Sequence, residues 1–523
     1  MDASGGLGPP EQVAGKDAGK DAGKDAGKDA GKVAPMAERK VAQLVTQTGA
    51  PTAVPDGTPS DASLVGLPAA EIAALVRTGE VTAVDVVRAH LDHIEKVDAR
   101  VGAFRVVRRE AALAEAAAVD SSLTRFALPL AGVPVAIKDN VAVAGETCTD
   151  GSSGRHGGPE AKDHPVVTRL RKAGAVVVGI TRVPELCLYA ATDGPGTVSR
   201  NPWDTALSPA GSSGGSAAAV ASGSVPIAHG NDGMGSLRLP AAACGLVTLK
   251  PGRGVVPGGI GADDWSGMAV NGALATTVAD LALAHAVLAG EAPEPPVAPT
   301  RPLRIAVSTR SPVPGVGADA ATRAAVDAVV AELEAAGHTV VRRNPPITPG
   351  AAAGALVRWM AGAEDDAEFL GIDRHDLEPR SRTHARLGRL VRRLGLVRPS
   401  TQERFRARMV EFFGDVDLLL TPVTTGPPLA ARPWHERGFL ANITANARWA
   451  PWTAAWNLAG LPATVLPGGS RPGGPPVAVQ FVGPPGAEGR LLWLAGELER
   501  RLPWRRYAPV FDPTAPEAQA ATG

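Results

Sequence analysis

Two glycine- and serine-rich segments lie close together in this sequence, and a lone lysine precedes both. The first segment covers residues 211–215 and the second covers residues 232–240, while Lys138 ends an apolar run at 132–137. A serine hydroxyl is a weak nucleophile unless a base removes its proton, and lysine is that base in serine–lysine enzymes. If the three pieces meet in the folded chain, the sequence predicts an acyl-transfer enzyme.

Each piece also has a simpler interpretation when it is considered alone. Ser236 follows a glycine-containing turn whose N–H groups could bind an oxyanion, but an ordinary loop has the same composition. Ser212 lies just before a helix start, where serines commonly cap the helix. Lys138 alone is typical of a surface lysine, whereas burial would lower its pKa until it could accept a proton.

A competing motif overlaps the first segment. Residues 211–215 also fit G-x-S-x-G with Ser213 as the nucleophile, and His156-Gly157-Gly158 lies upstream in the manner of an esterase oxyanion segment. That motif requires a strand directly before the serine. Residues 205–209 form a poor strand candidate because they end in Ser208-Pro209. We therefore favour the serine–lysine interpretation over a Ser-His-Asp hydrolase.

Composition restricts the class of protein. The 523 residues contain 53 basic and 53 acidic side chains, so no whole-chain charge attracts nucleic acid or an anionic membrane. No apolar run has the length of a membrane span, and the N-terminus lacks the apolar stretch of a signal peptide. Three cysteines without a C-x-x-C pair indicate a reducing compartment, so we expect a cytoplasmic protein. These cysteines are Cys148, Cys187 and Cys244.

The chain divides into three regions. Residues 1–60, with Lys-Asp-Ala-Gly repeats at 16–32, predict a disordered tail because they offer no apolar face. Residues 61–510 predict one folded domain, and residues 511–523 a second short tail. Within the domain, apolar strand candidates alternate with helical patterns, which predicts an α/β fold with a mixed or parallel sheet covered by helices. Residues 350–410 look helical and separate from this alternation.

With these pieces in view, the chain resembles the amidase signature family of serine hydrolases over roughly residues 64–505. Lys138 and Ser212 are 74 residues apart, and Ser212 and Ser236 are 24 apart, as in the family pattern. Further matching blocks include Arg200-Asn201-Pro202-Trp203-Asp204, Leu249-Lys250-Pro251, Asn457-Leu458-Ala459-Gly460-Leu461-Pro462 and Val479-Gln480-Phe481-Val482-Gly483.

The resemblance implies a single α/β/α domain around a large mixed sheet and an amidase that forms an acyl-enzyme. Ser236 would be the nucleophile, Ser212 a proton relay preceded by a cis peptide bond, and Lys138 the base. The backbone N–H groups expected to form the oxyanion hole belong to Gly233, Met234, Gly235 and Ser236. The residues expected to support this loop and relay are Ser213, Asp232 and Arg238. The expected partner is a small-molecule amide, no metal or organic cofactor is implied, and a homodimer is compatible with the sequence.

Two departures and two alternatives accompany this interpretation. Met234 and Ala210 stand where the family usually or often has glycine, so impaired activity would be consistent with the sequence. One alternative is the glutaminase subunit of a tRNA-dependent amidotransferase, which shares the triad but needs partner chains. The other is a binding protein that retains the fold with weakened catalysis.

Three tryptophans suggest one further hypothesis. Trp449, Trp452 and Trp456 follow the spacing of one helix face, if their segment is helical. Core packing is their simplest role, and the alternative is that one of them lines an aryl- or acyl-binding pocket.

Overall fold

The computed structural model describes residues 64–515, apart from residues 156 and 472. The tail predicted at 1–60, His156 and residues 516–523 lie outside the described residues. The second predicted tail overlaps the described residues at 511–515. There, Phe511 is buried, and Arg100 lies over its ring at 4.8 Å, so the packed chain extends past residue 510.

Within the described residues, eleven strands form one mixed sheet and two short strands form a separate ladder. The strands are β1 (Phe104–Val107), β2 (Pro134–Lys138), β3 (Val176–Thr181), β4 (Asp193–Gly194), β5 (Thr197–Val198), β6 (Ile227–Asp232), β7 (Val247–Lys250), β8 (Val270–Ala275), β9 (Arg304–Val307), β10 (Thr339–Arg342), β11 (Leu418–Pro422), β12 (Ala463–Gly469) and β13 (Val477–Val482). The order across the large sheet is β1-β3-β2-β6-β8-β7-β12-β13-β11-β9-β10, and β4 pairs with β5. The predicted α/β class with a large mixed sheet is confirmed.

Helices pack around this sheet. They are α1 (Ala69–Thr78), α2 (Ala83–Val101), α3 (Arg109–Asp120), α4 (Pro165–Lys172), α5 (Gly214–Ala221), α6 (Arg238–Cys244), α7 (Val278–Ala289), α8 (Ala320–Ala335), α9 (Pro349–Phe369), α10 (Pro379–Arg393), α11 (Pro399–Phe412), α12 (Phe439–Trp449), α13 (Ala454–Ala459) and α14 (Glu488–Arg501). A four-residue turn at Asp264–Gly267 has positive φ throughout. No helix among the described residues is long and apolar enough to cross a membrane.

Two apolar clusters form the interior. The larger one joins the buried faces of the strands to the helices that cover them. The second lies largely among α9, α10, α11 and α13, the first three of which come from the helical region predicted at 350–410. The helical region therefore has its own core, and part of it reaches the sheet through β11 and β12.

Parallel pairing of two central strands positions the site. Strands β2 and β6 are parallel neighbours, and every residue of both is buried. Because the carboxyl ends of parallel strands reach the same edge of a sheet, the ends of β2 and β6 lie together there. Lys138 ends the first strand, and Asn231 and Asp232 end the second. Polar side chains at this edge are thus brought together by the sheet itself.

Candidate active site

Lys138 is completely buried at the end of β2. Its Nζ lies 2.8 Å from Ser212 Oγ and 2.5 Å from Asn231 Oδ1. Burial lowers the pKa of this amine because the charged form loses its hydration, although nearby Cys187 and the acidic Asp232 and Asp150 partly oppose the shift. A lysine in this setting can hold a neutral amine, which is the form that accepts a proton.

Asn231 is a site residue that the sequence analysis missed. Its Oδ1 accepts the Lys138 hydrogen bond, while its Nδ2 donates to Asn140 Oδ1 at 2.7 Å. The second bond fixes which end of the amide faces the lysine. The available signal was its position, because a polar side chain at the end of a fully buried strand needs a partner.

The segment containing Ser212 connects the lysine to the second serine loop. The cis peptide bond predicted before Ser212 is present between Gly211 and Ser212. Ser213 is fully buried; its Oγ donates to Asn231 O at 3.2 Å, and its N–H donates to Ser236 O at 3.2 Å. Ser213 thus connects the first loop both to β6 and to the second loop.

This geometry disfavours the nucleophile-elbow motif. Residues 205–210 contain only an isolated bridge between Leu207 and Ala430, so no strand leads into Ser213. Ser213 Oγ donates its hydrogen bond to the Asn231 carbonyl, and Ser213 does not line the neighbouring cavity.

Ser212 and Ser236 line the same cavity. Ser236 is half-buried, and its Oγ makes no hydrogen bond to any described residue. The other lining residues are Asn140, Asp150, Leu186, Cys187, Asn231, Gly233, Ile260, Gly261, Trp265, Ala269 and Asp366. Ser236 is therefore a cavity-lining serine whose hydroxyl has no partner among the described residues.

The loop before Ser236 differs from the prediction at one position. Gly235 N–H donates to Asp232 Oδ1 at 2.7 Å, so it is engaged inside the protein and unavailable to an oxyanion. Within residues 64–515, the N–H groups of Gly233, Met234 and Ser236 donate to no protein acceptor. Asp232 Oδ2 also accepts the N–H of Leu237 at 3.2 Å, so the Asp232 carboxylate binds two N–H groups of this turn.

Asp232 and Arg238 form an ion pair that has no solvent exposure. Arg238 donates from Nε to Asp232 Oδ2 and from Nη2 to Asp232 Oδ1, both at 2.9 Å. Burial opposes ionisation of Asp232, but the guanidinium outweighs it and holds the pKa of this carboxyl well below its usual range. Arg238 also reaches Gln480 Oε1 at 2.7 Å and Asn457 Oδ1 at 2.6 Å. The pair therefore ties the serine loop to the C-terminal part of the sheet.

The two departures from glycine have different consequences. Met234 has no positive φ, and its side chain packs against the second apolar cluster without lining the cavity. Ala210 is fully buried with φ of 66°, in the left-handed region that glycine adopts most easily. The pocket is therefore not narrowed by Met234.

Trp265 closes the cavity on the side of the loop. A Cβ added at Gly233 would lie 2.7 Å from Trp265 Cε3, so the indole packs directly on the backbone of the serine loop. This contact requires glycine at position 233. The indole N–H donates to Asp366 Oδ2 at 2.7 Å.

The tryptophan hypothesis is wrong about the shared helix face. Trp449 ends α12 and Trp456 lies in α13, with a break between the two helices. Pro451 explains the break, because a proline disfavours helical geometry at the residue before it. All three tryptophans are buried, and none of them lines the cavity beside Ser236.

Other reactive groups near the site are accounted for. Burial raises the pKa of the Cys187 thiol to about 12, so this cavity-lining cysteine remains protonated and is a poor nucleophile. Among the described residues, no group of three or more His, Cys, Asp or Glu side chains is arranged to hold a metal ion.

The chain is similar to known proteins over most of its length. The chain matches the Amidase family over residues 85–492. It is 40% identical over 463 residues to the Mycobacterium tuberculosis protein named "Putative amidase AmiB2", covering 86% of this chain and 99% of that protein. It is 32% identical over 496 residues to a glutamyl-tRNA(Gln) amidotransferase subunit of Carboxydothermus hydrogenoformans, covering 85% of this chain and 99% of that one.

A solved structure extends the likeness to three dimensions. The structure of 6-aminohexanoate cyclic dimer hydrolase aligns with a TM-score of 0.75 at 29% identity, covering 84% of this chain and 97% of that one. The family match covers most of the chain. This protein therefore belongs to the Amidase family, the amidase signature enzymes, and is a hydrolase of carbon–nitrogen bonds.

Proposed function

We propose that this enzyme hydrolyses a small carboxylic amide to a carboxylate and ammonia or an amine, through an acyl-enzyme on Ser236. The observation that carries the proposal is the 2.8 Å contact between Lys138 Nζ and Ser212 Oγ, beside a cavity that Ser212 and Ser236 both line. A buried base, a relay hydroxyl and a free nucleophilic hydroxyl are the parts that a serine hydrolase needs.

The first half of the reaction forms the acyl-enzyme. Neutral Lys138 takes the Ser212 proton while Ser212 takes the Ser236 proton, and Ser236 Oγ bonds to the amide carbon. Asn231 Oδ1 accepts one lysine N–H, which leaves the nitrogen lone pair to face Ser212. The oxyanion then accepts hydrogen bonds from the free N–H groups of the serine loop, which are those of Gly233, Met234 and Ser236.

The second half releases both products. Ser212 gives its proton to the amide nitrogen and recovers one from protonated Lys138, so the carbon–nitrogen bond breaks and the amine leaves. Water then attacks the ester carbon through the same relay and frees Ser236. Asp232 and Arg238 hold the loop throughout, and the ion pair keeps the Asp232 carboxylate ionised, so it takes up no proton.

The relatives favour an amidase over an amidotransferase subunit as the function of this protein. The identity to the protein named as an amidase is 40%, against 32% to the amidotransferase chain. Free, buried cysteines at positions 148, 187 and 244 support a reducing compartment such as the cytoplasm.

Fluorophosphonate labelling with peptide mapping tests the proposal. Wild-type protein should be labelled on Ser236, while Ser236→Ala abolishes the label and Lys138→Ala slows it by roughly 10²–10⁴-fold. Ser121→Ala, which removes an exposed serine, serves as the control and should label like wild type. A label on Ser213 or Cys187 in wild-type protein would sink the assignment of the nucleophile.

A further inference from the structure

Two carboxylates face the cavity that contains Ser236. Asp150 and Asp366 both line it, whereas none of the lining residues is a lysine or an arginine. The two groups are close enough that the charge of Asp150 contributes to a raised pKa at Asp366. The cavity wall therefore carries two acidic side chains beside Ser236 and no basic one.

Only one carboxylate oxygen of Asp150 accepts hydrogen bonds from the described residues. Its Oδ2 is bound by Arg155 at 2.6 Å and by the Cys148 thiol at 3.6 Å. Its Oδ1 accepts no hydrogen bond from the described residues, although the residue is only 7% exposed. Arg155 approaches from behind and does not line the cavity. An unpartnered oxygen on a buried carboxylate that lines a cavity points to a ligand with a donor to offer.

Asp366 is buried without a cation. Its Oδ1 accepts from Ala262 N at 2.9 Å, its Oδ2 accepts from the Trp265 indole, and within the described residues no basic side chain pairs with it. A Cβ added at Gly261 would overlap Asp366 Oδ1, so the surrounding turn is shaped around this carboxylate. Burial raises the pKa of Asp366 to about 7 and that of Asp150 to about 6. Both are therefore ionised in mildly alkaline solution.

We propose that the substrate carries a protonated primary amine, held by Asp150 and Asp366, in addition to the amide bond presented to Ser236. This inference rests on the proposed amide hydrolysis and names its substrate class. Asp366 is a buried carboxylate without a charged partner, which is costly, whereas Asp150 is paired with Arg155 but has an oxygen without a donor. An ammonium group supplies a charge for Asp366 and a donor for Asp150.

The wild-type enzyme can be tested directly with two p-nitroanilides of equal length at pH 8. The 5-aminopentanoyl compound ends in an ammonium group, and the hexanoyl compound ends in a methyl group. We expect kcat/KM to favour the ammonium compound by about 10- to 100-fold, the range of a charged hydrogen bond. Equal rates, or a preference for hexanoyl, would overturn the inference while leaving amide hydrolysis intact.

Three variants test whether Asp150 and Asp366 cause the preference for the ammonium compound. Asp150→Asn and Asp366→Asn should each reduce it by about tenfold or more by slowing only the ammonium compound. Asparagine suits position 150 because Asp150 has φ of 52°, which asparagine tolerates. Glu368→Gln is the control, since this carboxylate is exposed on the same helix as Asp366 and should leave the preference unchanged.

Binding of pentylammonium chloride, followed by calorimetry, needs no turnover. We expect wild-type protein to bind it about tenfold more tightly than either asparagine variant does, and Glu368→Gln to match wild type. If neither anilide is hydrolysed, the proposed function fails and this binding still decides whether the cavity takes an ammonium group. Equal affinity in all four proteins, or no binding to wild type, would contradict the inference.

Discussion

Lys138 Nζ lies 2.5 Å from Asn231 Oδ1, and Lys138 has no solvent exposure. The two residues end adjacent parallel strands, so their contact follows from the sheet. A neutral amine that donates one hydrogen to Asn231 can accept a proton from Ser212, whose Oγ lies 2.8 Å from Nζ. The Asn231 amide is thus expected to set the orientation of the base.

Replacing Lys138 tests the requirement for a neutral base. Burial lowers the pKa of Lys138, and the neutral form increases as the pH rises through that pKa, so kcat/KM should fall on the acidic side. Lys138→Arg keeps the charge but cannot lose its proton, and we expect a loss of about 10²–10⁴-fold at every pH. A pH profile of kcat/KM, with circular dichroism to verify folding, is the measurement. An arginine variant with appreciable activity would exclude lysine as the base.

Replacing Asn231 separates orientation from charge. Asn231→Asp puts a carboxylate beside Lys138, which favours the charged amine and should move the acidic limb of the profile to higher pH. Asn231→Ala removes the hydrogen bond without adding charge, so we expect a lower kcat with much less displacement of that limb. The alanine variant is the matched control, and equal displacement in both would mean that Asn231 acts only on packing.

The two departures from glycine should respond differently to substitution. Ala210→Gly relieves a left-handed alanine, worth about 1–2 kcal/mol, but removes a buried methyl group worth roughly 0.8 kcal/mol, so the net change should be within about 1 kcal/mol. Met234→Gly removes apolar contacts without relieving backbone strain and should destabilise by ~2 kcal/mol.

Both glycine variants should keep kcat/KM within a few-fold of wild type, because each preserves the loop N–H groups. Urea unfolding and an anilide assay measure the two effects. A large rise in activity for Met234→Gly would show that this side chain restricts the site after all.

Breaking the Asp232–Arg238 pair should be costly. Arg238→Met leaves a buried carboxylate without its partner, and we expect a loss of about 3–5 kcal/mol in urea unfolding. Arg342→Met is the matched control, since Arg342 and Asp327 form an exposed pair at 3.9 Å and such pairs contribute under about 1 kcal/mol. Comparable losses in the two variants would mean that the buried pair is no more important than a surface one.

The sequence identified short segments that the structure brings together, and it left out the contacts that long-range packing supplies. Lys138, Ser212 and Ser236 belong to short segments with characteristic spacing, and their loops carry glycines with clear backbone roles. Asp366 comes from a helix far downstream, so no local pattern links it to Ser236. Asn231 lies near the end of β6, and its contact with Lys138 depends on the parallel pairing of β6 with β2, which no local pattern shows.

The remaining errors have identifiable causes. The sequences of β7, β8 and β12 are weak strand signals because they contain polar residues and, in β12, Pro467, while each strand is stabilised by a neighbouring strand on both sides. The tryptophan hypothesis is conditional on one helix through Trp452, and that condition is not met because Pro451 disfavours helical geometry at residue 450. The sequence places Gly235 in the oxyanion hole because it does not show that the Gly235 N–H donates to the Asp232 carboxylate.

Stability should fall in mild acid because of buried histidines such as His384. It is fully buried against Trp359, with ring centroids 4.2 Å apart, and burial lowers its pKa to about 3. The unfolded chain binds a proton near pH 6.5 and the folded chain does not, so this histidine should cost ~2 kcal/mol between pH 7.5 and pH 5. His384→Phe should shrink the difference in unfolding free energy between these pH values by that amount. His375→Phe, at an exposed site, should not change it, and an unchanged difference in His384→Phe would mean that His384 can be protonated in the folded protein.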